Sequence, residues 1–225
     1  MDFDRKVYGE VAPGFEEVKR EFVNNFVNRG EIGAACAIYY NGEKVVDLWG
    51  GYSKDKKRWE EDTKVLVFSA TKGIASIVIA KLHSEGLLDY NEKISTYWPE
   101  FSVNGKSEIT LMQLLSHQAG LVLLDKKLNV LELDDFEKTA SIIARAKPMW
   151  IPGEYQGYQA TTIGFYLGEI VRRVDKKKRS LGKYFHEEIA KPLNIDFYIG
   201  LPSSVETEKI SETKMLNPLV GLFNL

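Results

Sequence analysis

The sequence predicts an α+β fold in which helices flank an antiparallel sheet, and three observations lead there. Two apolar runs, Ala34 to Tyr40 and Lys44 to Trp49, are joined by Asn41-Gly42, a dipeptide that tolerates the paired positive φ angles of a type I′ hairpin turn. A helix-period stripe precedes this hairpin. Several helical stretches follow it, each bounded by a cap or a glycine.

Residues 14–29 place Phe15, Val18, Phe22, Phe26 and Val27 on one helical stripe, with Gly30 as the stop. After the hairpin, a charged loop from Ser53 to Lys64 leads into the short apolar run Val65 to Phe68. Residues 72–85 read as an apolar helix closed by Gly86. Thr110 is the N-cap of a helix over 110–117 that ends near Ala119-Gly120. Two further helices are expected over 134–146, opened by Asp134-Asp135, and over 161–173. A two-stranded ribbon is marginal in water, and Phe197-Tyr198-Ile199 is the one short candidate for another strand. The sheet therefore reads as incomplete. No repeat, linker or composition shift divides the chain, so a single domain over 1–225 is expected.

With 225 residues, 44% hydrophobic and 28% charged, the chain can bury a core as an ordinary soluble protein does. A formal charge of −2 gives no electrostatic case for nucleic acid or an anionic membrane. The basic cluster Arg172-Arg173 with Lys176 to Arg179 reads as a solvated helix end and turn. Cys36 is the single cysteine, so no disulfide can form within the chain, and it reads as a small buried hydrophobe. The N-terminus lacks the apolar core of a signal peptide, and no window approaches 18 uninterrupted apolar residues. A cytoplasmic location and no membrane span are expected.

The chemistry centres on Ser69-Ala70-Thr71-Lys72. A serine hydroxyl is a weak nucleophile until its proton is taken, and a lysine three residues on stands one helical turn away on the same face. Three other Ser-x-x-Lys stretches, Ser53-Lys56, Ser180-Lys183 and Ser211-Lys214, lie in polar surroundings. Only Ser69-Lys72 is bracketed by apolar residues on both sides, Val65 to Phe68 and Ile74 to Leu82. Burial there is expected to disfavour the ammonium and lower the Lys72 pKa. The second chemical segment is Met149-Trp150-Ile151-Pro152-Gly153-Glu154-Tyr155-Gln156-Gly157-Tyr158-Gln159-Ala160. Pro-Gly forces a turn, and Tyr158 stands just before a helix that starts near Thr161 or Thr162. A helix dipole and a nearby lysine both favour its phenolate. The bland reading of Tyr158 is a ring packed into the core.

The three histidines, His83, His117 and His186, offer no rival. There is no Gly-x-Ser-x-Gly elbow and no His-Glu-x-x-His stretch. His83 reads as structural, and His117 as a residue that bonds a carbonyl or orders a turn. No metal and no other cofactor are expected.

The order of segments — hairpin, Ser-x-x-Lys helix, Leu-Leu-Ser-His-Gln-Ala-Gly-Leu (114–121), Trp-x-Pro-Gly (150–153), Gly-Tyr-x-Ala (157–160) — resembles the β-lactamase-related serine hydrolases. These include class C β-lactamases, D-alanyl-D-alanine carboxypeptidases and family VIII carboxylesterases. Tyr97-Trp98-Pro99-Glu100-Phe101 and Lys191-Pro192-Leu193 also match segments of that family, so the resemblance runs from about 13 to 202. It implies a β-lactamase/transpeptidase-like fold and a small-molecule ester or amide as substrate, cleaved through an acyl-enzyme. By position it makes Ser69 the nucleophile, Lys72 its activator, Tyr158 the second proton-transfer group and the Ser69 backbone N–H one oxyanion donor. The lactamases carry Tyr-x-Asn where this chain has Ala160, as in the esterase branch, so an ester is expected over a lactam. The family's C-terminal strands, one bearing a Lys/His/Trp-x-Gly motif, have no counterpart after Pro202. The expectation is therefore a C-terminally truncated member, poorly active and marginally stable as it stands. The competing reading is a non-catalytic member that serves in binding or structure.

Overall fold

A computed structural model of the protein describes residues 7–126, 128, 133 and 135–214. The predicted Asp134 helix opening and the final segment Gly221 to Leu225 lie outside the described residues. The chain divides into two compact units, Met1–Leu66 with Ser203–Leu225 and Val67–Pro202.

Among the described residues, the first unit contains a three-stranded antiparallel sheet and one α-helix. Its strands are β1 (Val7–Val11), β2 (Gly33–Tyr40) and β3 (Glu43–Gly51), in the order β1-β3-β2. The β2–β3 hairpin turns through Asn41 and Gly42 at φ 50 and 83, both left-handed as a type I′ turn requires. Val45, Val46 and Leu48 of the central strand are buried against Phe22 and Phe26 of α1 (Glu16–Asn28), with Cys36 half-buried at the edge of the same cluster. Val27 departs from the expected stripe and is 60% exposed. It lies one residue, about 100° of helical rotation, past Phe26.

The hairpin's missing partner is β1, not the Phe197 segment. Register pairs Val7 with Gly50 and Val11 with Val46. Gly9, at φ 94, passes so close to β3 that a Cβ there would lie 1.8 Å from the Asp47 carbonyl oxygen. Only glycine fits that approach. Residues 197–199 form no strand. They run across α7 (Leu181–Phe185), where a Cβ on Gly182 would lie 1.9 Å from the Ile199 carbonyl oxygen, and Phe197 and Ile199 pack on a helical core. The first unit also holds a parallel bridge between Lys64 and Ile210, which ties the 203–214 stretch to the loop after the hairpin.

The second unit is helical: α2 (Ala70–Ser84), α3 (Ile94–Tyr97), α4 (Leu111–Leu115), α5 (Phe136–Ala144), α6 (Ile163–Val174) and α7. Helix α2 buries Ala75, Val78, Ile79 and Leu82, at positions i, i+3, i+4 and i+7, while Ile77 on the opposite face is 51% exposed. Helix α6 buries Ile163, Tyr166, Leu167, Ile170 and Val171 on the same period. The two helices share one core with Trp98, Phe101 and Tyr166, whose rings pack in tilted and edge-to-face pairs at centroid distances of 5.4–6.4 Å. Thr110 caps α4 in a full capping box with Gln113. Gly86, at φ 73, follows the end of α2 as its spacing implies. Lys106, fully buried, donates to the carbonyls of Val103 and Ala146 at 2.7 Å each, pinning the end of α5.

In the basic cluster Lys176 to Lys178 are exposed, as a solvated turn implies, but Arg172, Arg173 and Arg179 belong to a largely buried ion network. Arg172 and Arg173 both bond Glu169, which is 5% exposed. The Arg179 guanidinium donates twice to Asp175, at 2.9 Å each, and reaches Glu187 and Glu188. Its charge cannot be solvated there, so carboxylates replace water. These contacts hold the Asp175 carboxyl down from 3.8 to about 2, against a burial effect that would raise it. A depressed folded pKa stabilises the protein above the unfolded value and loses that contribution as pH falls through the folded one. Asp175→Asn is therefore expected to cost about 2 kcal/mol at pH 7, measured by urea unfolding. Its stability should also fall less than the parent's between about pH 4 and pH 2.

Candidate active site

Ser69 stands at the N-cap of α2, and the way the helix starts determines what its hydroxyl can do. An N-cap serine usually lies in the β region, with its oxygen accepting a backbone N–H of the first turn. Ser69 is instead helical, at φ −72 and ψ −8, and makes no side-chain cap bond. The turn before it is tight: Ala70, Thr71 and Lys72 N–H donate to the carbonyls of Val67, Phe68 and Ser69 at 3.2, 3.1 and 3.0 Å. Phe68 is forced to φ 46 to make it, a left-handed conformation that an aromatic residue adopts at a cost. The Ser69 N–H takes no part in that ladder, and the hydroxyl is free for another partner.

That partner is Lys72. Its Nζ donates to Ser69 Oγ at 2.9 Å and to the Ala160 carbonyl at 2.8 Å. The lysine thus bonds the nucleophile candidate and the tyrosine segment at once. The other three Ser-x-x-Lys serines do different work. Ser53 donates to the Lys57 carbonyl, Ser180 caps α7 by accepting from Lys183 N–H, and Ser211 donates to the Glu212 carbonyl. The expected apolar enclosure of Ser69 is only half present. Val65, Leu66, Val67 and Phe68 are 39–60% exposed, and the buried residues lie on the far side, in α2. The turn that presents Ser69 directs the preceding run outward.

The Tyr158 segment is laid on the turn after α4 by a series of bonds. Met149 N–H donates to the Gly120 carbonyl, Gly153 N–H to Gln118 and Gly157 N–H to His117, at 2.9, 3.0 and 3.0 Å. Gln156 Nε2 adds a bond to the Ser116 carbonyl at 3.1 Å. A Cβ on Gly157 would lie 2.4 Å from the Trp150 ring and 2.9 Å from the Val122 side chain, so the chain passes here only as glycine. Behind Tyr158, the buried Gln159 donates through Nε2 to the Leu121 carbonyl at 3.3 Å. Thr162 precedes α6, yet its hydroxyl donates to Leu121 at 2.8 Å instead of capping the helix.

Tyr158 itself is 53% exposed, which sets aside the reading of a ring packed in the core. Lys72 Nζ lies 5.0 Å from its ring centroid, and the Ser69 and Lys72 side chains both act on its phenol. The phenol is held below the usual range, first by the Ser69 hydrogen bond, then by the Lys72 hydrogen bond and charge. The sequence predicts a lysine effect and a helix dipole; the serine adds to the lysine effect here. The three residues singled out in the sequence thus come together in one place.

Two groups at this place were not singled out: the Ala160 carbonyl, and the His117 ring, which stands edge-on to Tyr158 at 5.0 Å. Backbone carbonyls leave no mark in a sequence. His117 was legible only as a turn residue. His83 holds the Leu88 carbonyl at 2.7 Å and packs on Tyr90, while His186 stacks on Tyr198. Among the described residues no cluster of histidine, cysteine and carboxylate side chains could hold a metal, and no helix is long and apolar enough to cross a membrane.

Known proteins share this arrangement of chain. The family model described as Beta-lactamase matches residues 18–211. Over 218 residues the chain is 35% identical to the esterase/beta-lactamase LipL of Mycobacterium tuberculosis, covering 95% of this chain and 50% of that protein. The crystal structure of a family VIII carboxylesterase gives a TM-score of 0.86 at 39% identity, covering 93% of this chain and 57% of that one. A penicillin-binding protein homologue from Caulobacter crescentus gives 0.86 at 36% identity, over 93% and 56%. The chain spans about half the length of these relatives. The match runs through both compact units and the shared fold is of the β-lactamase/transpeptidase type, so the chain belongs to the beta-lactamase family.

Proposed function

We propose that the protein is a serine hydrolase that cleaves small-molecule esters by acyl transfer, with Ser69 as nucleophile, Tyr158 as the proton-transfer group and Lys72 as the cation that holds both. The observation that carries this reading is the position of Lys72 Nζ, which donates to Ser69 Oγ at 2.9 Å and stands 5.0 Å from the Tyr158 ring centroid. A protonated Lys72 has no lone pair with which to take the serine proton. A Tyr158 phenolate has one, and Lys72 stabilises that phenolate.

Each step balances through Tyr158. Ser69 Oγ forms a bond to the ester carbonyl carbon as its proton passes to the Tyr158 oxygen. The ester C–O bond then breaks, and the departing alkoxide takes that proton to leave as the alcohol. Water next gives a proton to Tyr158 and attacks the acyl-serine, and Ser69 recovers its proton as the acid is released. The Ser69 N–H, outside the backbone ladder of its turn, is the proposed oxyanion donor. Ala160 at the third position of the tyrosine motif, together with relatives named as esterases, favours an ester over a lactam.

A fluorophosphonate probe applied to the full-length protein should label Ser69. Ser69→Ala should abolish the labelling and lower p-nitrophenyl ester hydrolysis by about 10⁴ or more. Labelling that survives Ser69→Ala would identify another nucleophile, and a folded protein that never labels would favour the non-catalytic reading.

The pH dependence has a definite sign. The active form is the phenolate, and the Tyr158 pKa is lowered from 10.0, so kcat/KM should rise with pH along a limb centred below 10. Tyr158→Phe should remove that limb and cost roughly 10²–10⁴ in rate. A limb that persists in the phenylalanine variant belongs to another group.

A further inference from the structure

We propose that His117 is a positioning residue that holds Tyr158 against Ser69 and Lys72, an inference that rests on the acyl-transfer reading above. His117 attaches to the tyrosine segment at three consecutive residues. Its backbone carbonyl accepts from Gly157 N–H at 3.0 Å. Its ring stands edge-on to the Tyr158 ring at a centroid distance of 5.0 Å. Its Nδ1 accepts from Gln159 N–H at 3.2 Å. One residue therefore grips the chain before Tyr158, the ring of Tyr158 and the chain after it.

The side-chain bond has a chemical requirement. An N–H can donate to Nδ1 only if that nitrogen carries a lone pair, so the neutral imidazole keeps its proton on Nε2. A residue without an acceptor at that place leaves the Gln159 N–H without this partner, beside a side chain that is otherwise fully buried. The backbone of His117 points to the same role. It sits at φ 61, a left-handed conformation that costs a non-glycine residue energy and persists where surrounding contacts fix it. A turn residue serving only to end α4 would need no more than its N–H bond to the Leu114 carbonyl, at 3.1 Å. The contacts to 157, 158 and 159 are additional, and all three bear on one hydroxyl.

Two substitutions separate acceptor from backbone, because glycine and asparagine both accept a positive φ. His117→Gly deletes the ring and the acceptor. His117→Asn deletes the ring but offers Oδ1 near the place of Nδ1. In the full-length protein, active sites are titrated with the fluorophosphonate probe, and kcat and KM are measured on p-nitrophenyl acetate per titrated site. The expected results are a fall in kcat of about 10–100-fold for His117→Gly, as for a reacting group displaced by about an ångström, with KM within about threefold. His117→Asn should recover most of that loss. Because His117 acts through Tyr158, the double variant His117→Gly/Tyr158→Phe should be no slower than Tyr158→Phe alone.

An unchanged kcat in His117→Gly would overturn the proposal. So would equal losses in the glycine and asparagine variants, or losses that multiply in the double variant. A loss confined to the titre of labelled sites, with kcat per site unchanged, would overturn it as well and assign His117 to folding alone. The acyl-transfer reading fails separately, if Tyr158→Phe itself turns over at the parent rate.

Discussion

The site depends on one ammonium group that joins two distant stretches of chain. Lys72 Nζ, on the first turn of α2, donates to Ser69 Oγ and, across 88 residues of sequence, to the Ala160 carbonyl. Without the second bond, the serine and tyrosine segments would be held together only by the packing of the helices that follow them. In the proposed mechanism, the group that neutralises a developing alkoxide or phenolate also fixes the distance between the two segments. Charge-assisted hydrogen bonds are the stronger kind, and here one cation supplies both geometry and electrostatics.

Both halves of the site are presented by backbone that is held away from its preferred conformations. Phe68 precedes the nucleophile candidate at φ 46, and His117 faces the tyrosine at φ 61. Each is a non-glycine residue in left-handed space, and such positions persist only on rigid supports. The supports are visible. Helix α2 anchors Ser69 through Val78, Ile79 and Leu82, all 0% exposed, and α6 anchors the end of the tyrosine segment through Ile163, Leu167 and Ile170. The two helices share a core, so the energy that orders the site comes from apolar packing behind it, and the exposed residues at the mouth are left for chemistry.

Much of this was legible in the sequence, for reasons that differ by element. Asn41-Gly42 announces its hairpin because a type I′ turn needs two positive φ angles, a local demand with a local signature. Thr110 and Gly86 mark helix ends on the same principle. Strand β1 was not legible: in Val7-Tyr8-Gly9-Glu10-Val11 a glycine sits on the face shared by Val7 and Val11, where an alternating strand would carry an apolar side chain. The glycine is there because of a neighbour far along the chain. Arg179 was misread for a similar reason, since its three carboxylate partners are a property of the folded helix end. Ser69-Lys72 was found, yet the apolar run before it is exposed, so enclosure from that side is not what distinguishes this serine. Its release from the capping role distinguishes it, and the three other serines of the same pattern are each engaged elsewhere. The turn and the following helix made Tyr158 a candidate beside its core reading, and the resemblance assigned it a role. The Ala160 carbonyl that meets Lys72 is a backbone group, which a string of residue names does not record, and the contact of the His117 ring with Tyr158 joins residues far apart in sequence.

In the proposed mechanism Ser69 carries the acyl group between two proton transfers at Tyr158. The most direct test is to mix the full-length protein with a p-nitrophenyl ester, quench in acid within milliseconds to seconds, and weigh the intact protein and its peptides. The expected result is a mass increase of one acyl group on the Ser69 peptide, with a longer-lived adduct when Tyr158 is phenylalanine. Hydrolysis without any adduct, or an adduct on a different residue, would contradict it.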